Sequence, residues 1–203
     1  MHMDMIFVRQ GEYCKGDDAF PLIRECFSLY SQEQADKRIP EIKRTEKGRP
    51  YFASGQKAEE AFDLSVTHSG DIWMCMISSG RCGIDFQYVR DTKERGIAER
   101  FFREGELAYI EGEGDFFDVW CRKESLGKYA GSGFFDDYPD TCPSGVPAGD
   151  LTIDGKTVFV RAISEEMLDE AGIHIDEPWR AAYVSESDEA PCVISILSRG
   201  INV

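Results

Sequence analysis

The chain has 203 residues, 38 acidic against 23 basic side chains, and a formal charge of −15. Apolar residues at 42% and aromatics at 12% suffice for a real core, which excludes wholesale disorder. So acidic a surface repels a phosphate backbone, which excludes general nucleic-acid binding.

The acid is unevenly spread, with residues 1–60 near neutrality and residues 61–203 carrying almost all of the excess. Between 37 and 49 the balance reverses: Lys37, Arg38, Lys43, Arg44, Lys47 and Arg49 outnumber Glu41 and Glu46. Such a strip suits either an anionic ligand or a solvated loop, and charge alone favours the loop. The seven cysteines contain no C-x-x-C pair, and several sit in apolar runs such as Trp73-Met74-Cys75-Met76-Ile77. They read as packed, reduced thiols rather than a disulfide framework or a zinc site. With no export signal and no apolar stretch near 18 residues, a cytoplasmic protein without a membrane span is expected.

Along the chain, residues 5–9 read as a short apolar strand. A helix capped by Asp17-Asp18 follows through about Tyr30, with Leu22, Ile23, Cys26, Phe27 and Tyr30 at helical spacing. Ser31 is expected to cap a second short helix bounded by Pro40. Gly48-Arg49-Pro50-Tyr51 forms a turn into an extended piece, because Pro50 disfavours helix at Arg49. Strands are predicted at 64–68, 72–78 and 82–88, separated by Ser69-Gly70-Asp71 and Ser79-Gly80-Arg81. Helices are predicted around 92–102, at 104–111 and from Asp115 to Tyr129, where Gly131 is a stop. A Gly/Pro/Ser/Asp-rich loop covers 131–149. Strands at 151–153 and 157–163, a short helix from Ser164, and strands at 180–184 and 192–197 complete an α+β chain in two successive groups.

Three segments concentrate chemistry. Ser65-Val66-Thr67-His68-Ser69-Gly70 closes a strand with hydroxyls, an imidazole and turn amides that can hold phosphate oxygens, although a lone histidine is more often structural. In Cys82-Gly83-Ile84-Asp85-Phe86-Gln87, Asp85 and Gln87 share a strand face and could address one ion, or Asp85 could simply end the strand. In Trp120-Cys121-Arg122-Lys123-Glu124-Ser125-Leu126-Gly127-Lys128, residues 120, 124 and 128 fall near one helical face. A surface Glu–Lys pair at i, i+4 is the ordinary reading, worth about 0.3–0.5 kcal/mol. The tryptophan one turn back argues against a fully solvated face, and favours a carboxylate for Mg²⁺ binding or proton transfer.

Taken together, Gly48–Tyr51, Ser65–Ser69, Gly83-Ile84-Asp85, Phe101-Phe102 with Glu106, and Trp120–Lys128 resemble the 4′-phosphopantetheinyl transferases. Their order and spacing are similar to the surfactin-synthetase-activating type, over about residues 48–133. The paired patterns G-[IV]-D and W-x-x-K-E-x-x-x-K are the specific part of the match; the flanks agree only in layout. The resemblance implies transfer of phosphopantetheine from coenzyme A to a serine hydroxyl of an apo acyl or peptidyl carrier protein, releasing 3′,5′-ADP. It also implies a pseudo-dimer of two similar α+β halves, at 1–84 and 85–203, with coenzyme A and Mg²⁺ in the cleft between them.

By position the resemblance makes Asp85 and Glu124 the Mg²⁺ ligands, with Gln87 a third candidate. Lys128 and Lys123 would neutralise phosphate oxygens. Thr67, His68 and Ser69 would bind the nucleotide or its phosphates, and Gly48, Arg49, Pro50 and Tyr51 would line the adenine and 3′-phosphate side. Glu124, directly or through a metal-bound water, is the first choice to accept the serine proton and Glu106 the second. Gln87 stands where a second acid is usual in bacterial members, Arg49 replaces the commoner lysine, and Thr67 stands for a serine. The basic segment before Gly48 is short, so the Lys37–Arg49 strip is the expected substitute. A monomer is expected. The runner-up is a degenerate relative that binds coenzyme A or a carrier without transfer; an unrelated Mg²⁺-dependent phosphohydrolase is a third reading.

Overall fold

The computed structural model describes residues 3–11, 19–33, 39–53, 62–92, 94–112, 114–133 and 138–196. Its architecture starts from one apolar run. Strand β5 (Ile72–Ser78) is buried at every position, as a strand covered on both faces must be. Trp73, Cys75 and Ile77 enter one core cluster, whereas Ile72, Met74 and Met76 enter another. Strand β1 (Met5–Gln10) divides in the same way, Met5 and Phe7 to the first cluster, Ile6 and Val8 to the second. The period of two thus sends alternate side chains into two different cores.

Helix α1 (Ala19–Glu33) closes the first core through Ile23, Cys26, Phe27 and Tyr30. It is one helix that runs through Ser31, whose hydroxyl donates to Ser28 O at 3.0 Å. The expected second helix therefore does not begin at Ser31; the side chain bonds back within its own helix. The expected caps Asp17 and Asp18, and Cys14, lie outside the described residues. A short hairpin, β2 (Glu41–Arg44) with β3 (Pro50–Ala53), lies next in the chain. Ile42 and Phe52 pack it onto the first core. The basic strip is thus partly strand, with Lys43 opposite Tyr51 and Arg44 opposite Pro50.

Strand β4 (Asp63–Ser69) pairs antiparallel with β5 through the tight turn at Gly70, and the first sheet has the order β10-β1-β5-β4. Strand β6 (Cys82–Tyr88) leaves that sheet and begins a second, of order β6-β9-β8-β7. Its members are β7 (Asp150–Ile153), β8 (Lys156–Ala162) and β9 (Trp179–Ser185). Cys82, Ile84 and Phe86 face the core shared with the first sheet, where Ala181 and Tyr183 of β9 join them. The other face of β6 is covered by α4 (Phe116–Ala130), which also packs on β9. The layers therefore run α1, first sheet, second sheet, α4. Strand β10 (Cys192–Ser195) returns from the far end of the chain to pair parallel with β1, and β6 begins just before the sequence boundary expected at 84/85.

The two sheets meet along an edge as well as face to face. Asp63 Oδ2, Ser65 Oγ, Thr67 Oγ1 and Ser69 Oγ accept the amides of Cys82, Ile84, Phe86 and Tyr88 at 3.0, 3.1, 3.3 and 3.3 Å. Each side-chain oxygen replaces the backbone carbonyl that a neighbouring strand would supply, so the amides on this side of β6 are satisfied without a ladder.

Helix α4 is bounded as its sequence predicts. Asp115 accepts the Asp118 amide at 2.9 Å, and Gly131 takes the left-handed conformation at φ 77°. Its approach to β6 depends on Gly83. A Cβ there would lie 2.0 Å from Ser125 O and 2.8 Å from Tyr129 N. The helix backbone rests on the strand where only glycine leaves room. Before it come α2 (Glu94–Phe101) and α3 (Glu104–Glu111); α5 (Glu165–Glu170) follows β8, capped by Ser164.

Cys26, Cys75, Cys82, Cys121 and Cys142 are buried thiols and Cys192 is an exposed one. No helix among the described residues is long and apolar enough to cross a membrane.

Candidate functional site

Where α4 crosses β6, a carboxylate and a lysine of the helix meet a buried aspartate of the strand. Asp85 is buried and stands on the face of β6 that looks at the helix. Lys128 Nζ donates to Asp85 Oδ1 at 2.7 Å and to Ile84 O at 2.8 Å. An ammonium has three donors, so one remains for a ligand. Glu124 lies one turn earlier on α4. Burial and then the charge of Asp85 push its carboxyl above the ordinary value, partly offset by Lys128. Gln87 Nε2 lies 3.5 Å from Asp85 Oδ2. Turned over, the same amide would offer its oxygen.

Glu124 and Lys128 open onto a pocket of about 320 Å³ whose opposite wall is Lys47, Gly48, Arg49 and Pro50. This wall is the β2–β3 turn, where Gly48 adopts φ 83° and Arg44 donates to Gly48 O at 2.7 Å. Lys47 reaches across to Ser132 O at 2.7 Å, tying the turn to the end of α4. Arg49 Nη2 bonds both oxygens of Asp63 and Leu64 O, whereas its Nε is buried without a hydrogen-bond partner in the described structure. Arg49 lines the pocket and brings a fixed positive charge to its wall.

The remaining expected residues are placed elsewhere. Tyr51 follows Pro50 on β3 and is half-buried. The Thr67 hydroxyl donates to Asp85 Oδ1 at 2.8 Å, so its single proton is not available to a phosphate. Ser69 accepts from Tyr88 N, and His68 is exposed on the opposite face of β4. Trp120 stacks on Phe116 in the cluster between α3 and α4.

Lys123 and Glu106 form a separate pair, 5% and 0% exposed, at 3.0 Å. Glu106 also accepts Arg103 N, Thr141 N and Thr141 Oγ1 at 2.8, 3.0 and 2.8 Å, and Lys123 lies over the Phe102 ring. Neither carboxylate oxygen has the access that a proton acceptor for an incoming hydroxyl needs. The pair joins α3, α4 and the loop at 141.

The donors around Asp85 fit a hard divalent cation. Two carboxylates and one amide oxygen, with like charges that a cation would relieve, suit Mg²⁺, which takes one or two carboxylates and completes its shell with water and phosphate.

The sequence model of the 4′-phosphopantetheinyl transferase superfamily matches residues 81–184, about half of the chain. The chain belongs to this superfamily. A protein of Haemophilus influenzae provisionally named a 4′-phosphopantetheinyl transferase is 30% identical over 105 residues, 47% of this chain and 42% of that protein. The 4′-phosphopantetheinyl transferase gsp of Aneurinibacillus migulanus is 29% identical over 102 residues, 46% of this chain and 39% of that protein. The aligned stretch spans about two fifths of the length of each relative.

The superfamily match contains Asp85, Gln87, Glu106 and the whole of α4, but not the basic wall at 47–50 or strand β4. Two of the residues that shape the pocket, Lys47 and Asp63, carry no motif. Lys47 belonged to a strip whose charge alone favoured a solvated loop. Asp63 precedes the strand expected at 64–68 and acts on the pocket by anchoring the Arg49 guanidinium.

Proposed function

We propose that the chain transfers the 4′-phosphopantetheine group of coenzyme A to a serine hydroxyl of an apo acyl or peptidyl carrier protein. The observation that carries this reading is a single pocket with Glu124 and Lys128 on one wall and Lys47 and Arg49 on the other. Coenzyme A presents a pyrophosphate and a 3′-phosphate, and such a pocket offers anion donors beside the Glu124 carboxylate. The pocket is read as part of a cleft between two related halves, one built on the first sheet and α1, the other on the second sheet and α4.

In this reading the new bond joins the serine oxygen to the β-phosphorus, and the bond to 3′,5′-ADP breaks, its electron pair leaving with the nucleotide. Glu124 accepts the serine proton. Lys128, held by Ile84 O and Asp85, directs its remaining donor to a phosphate oxygen. Arg49, anchored by Asp63, and Lys47 hold the nucleotide end, with Gly48, Pro50 and Tyr51 beside it and His68 and Ser69 further along β4. Asp85, Glu124 and Gln87 would hold Mg²⁺, whose positive charge would stabilise the departing 3′,5′-ADP. Lys123 and Glu106 support α4 from behind.

Incubation with coenzyme A, Mg²⁺ and a panel of apo carrier proteins, read by mass spectrometry, tests the proposal. The expected result is one phosphopantetheine adduct per carrier serine. No adduct on any carrier, with coenzyme A still bound, would leave the binding-only relative. Phosphate release from coenzyme A without a carrier would point to a phosphohydrolase.

A further inference from the structure

Four residues of β4 accept amides from β6, and one of them also reaches the functional cluster. Ser65 and Ser69 are joined to β6 by amide bonds at 3.1 and 3.3 Å. Thr67, 5% exposed, accepts the Phe86 amide in the same way and in addition donates to Asp85 Oδ1. Lys128 donates to that same oxygen from α4. Two donors on two different elements thus fix Oδ1. The carboxylate plane is set, and Oδ2 is left with a 3.5 Å approach from Gln87. A free aspartate would rotate about its last torsion, whose preference is broad. A threonine locked by a backbone amide cannot follow it.

We infer that Thr67 is a positioning residue: its hydroxyl couples the seam between the two sheets to the orientation of Asp85, presenting Oδ2 together with Glu124 to a divalent cation. The inference rests on the proposed role of Asp85 and Glu124 as a cation-holding pair. It gives Thr67 a task different from the nucleotide contact that its sequence position implies. A hydroxyl that donates to a ligating carboxylate sharpens the orientation of that ligand, and loss of such a partner typically weakens metal affinity about 10–100-fold.

The test is Mn²⁺ binding to the full chain, read from the free-ion electron paramagnetic resonance signal with no coenzyme A or carrier present. Thr67→Val keeps the shape and removes the hydroxyl; Thr67→Ser restores it. The valine variant should bind Mn²⁺ about 10-fold or more weakly, and the serine variant within about threefold of the parent. In transfer assays the valine variant should need correspondingly more Mg²⁺ for half-maximal rate, with the KM for coenzyme A within about twofold of the parent. Should the valine variant fail to fold, as judged by its melting curve, Thr67→Ala at low temperature answers the same question with the same two outcomes. Unchanged Mn²⁺ affinity in the hydroxyl-free variant overturns the inference, as does a raised coenzyme A KM at constant Mn²⁺ affinity. A serine variant as weak as the valine one overturns it too. If the parent itself binds no Mn²⁺, the cation pair and this inference fall together; if the parent binds and the valine variant matches it, the inference alone falls.

Discussion

Helix α4 carries two lysine–carboxylate pairs that differ in what they leave open. Lys123–Glu106 is sealed, with both partners at most 5% exposed and the carboxylate holding three further bonds. Lys128–Asp85 has a similar buried acid, 4% exposed, but a lysine that is 25% exposed and lines a pocket. Five residues separate the lysines, which on a helix is about 140° of rotation. One pair therefore faces α3 and the loop at 141, the other β6 and the pocket. The same chemistry becomes a brace where every lone pair is taken, and a candidate site where donors are left over.

Breaking the open pair should cost most in activity. Asp85→Ala and Glu124→Ala are each expected to lower transfer about 10³-fold, the size of a lost electrostatic contribution of roughly 4 kcal/mol to the transition state. Carrier-protein mass spectrometry on folded variants checks this. Full activity in Glu124→Ala would refute its assignment as base and cation ligand. Gln87→Glu should keep activity or raise it at low Mg²⁺, because it adds a charge to the same face.

Breaking the sealed pair should cost stability instead. Glu106→Ala leaves Lys123 buried without its counter-charge, a loss of about 3–5 kcal/mol in denaturant unfolding. The double variant Glu106→Leu with Lys123→Met should recover only part of that loss, because the Arg103 and Thr141 donors stay unpaired. Transfer per folded molecule should remain close to the parent in the double variant. A loss there comparable with Asp85→Ala would show that this pair belongs to the site after all.

Gly83→Ala tests the comparison mechanically. The new methyl meets backbone atoms of Ser125 and Tyr129, so α4 must move off β6. A destabilisation of about 1–3 kcal/mol is expected, as in other overpacked cores. Lys128 should be drawn from Asp85 while Lys123 stays with Glu106, so transfer should fall by more than the stability change explains.

A third pair, Lys156–Glu186, is the exposed end of the series, its lysine 59% exposed. Burial disfavours the Glu186 carboxylate, but hydrogen bonds from Lys156 and Tyr129 outweigh it and hold the carboxyl below its ordinary value. A depressed acid contributes stability that is present above its unfolded value and lost as pH falls through the folded one. Glu186→Gln should therefore flatten the acid limb of a melting-temperature profile below about pH 4.5 and cost only a few tenths of a kcal/mol at neutral pH.

The series also shows where sequence reading stops. The motif around residues 120–128 marks both lysines as candidates for phosphate, because their charge and their helix are the same. Which lysine is sealed depends on Glu106 and Thr141, residues from α3 and a loop that no spacing rule connects to α4. Thr67 is a similar case. Its position next to His68 suggests a phosphate contact, but the seam to β6 turns its hydroxyl inward onto Asp85. Ser31 read as a cap by its residue type, yet it sits within α1, its hydroxyl donating back to Ser28 O.

What the sequence by itself determined is local. The burial of β5 follows from an unbroken apolar run, and the ends of α4 follow from Asp115 and Gly131. These depend on periodicity and capping, which act within a few residues. The tertiary structure alone decided the return of β10 to β1, the side-chain seam from β4 to β6, and the conversion of part of the basic strip into a pocket wall. Those features depend on which distant groups meet, and burial and hydrogen-bond satisfaction can select among such meetings only once both partners are in place.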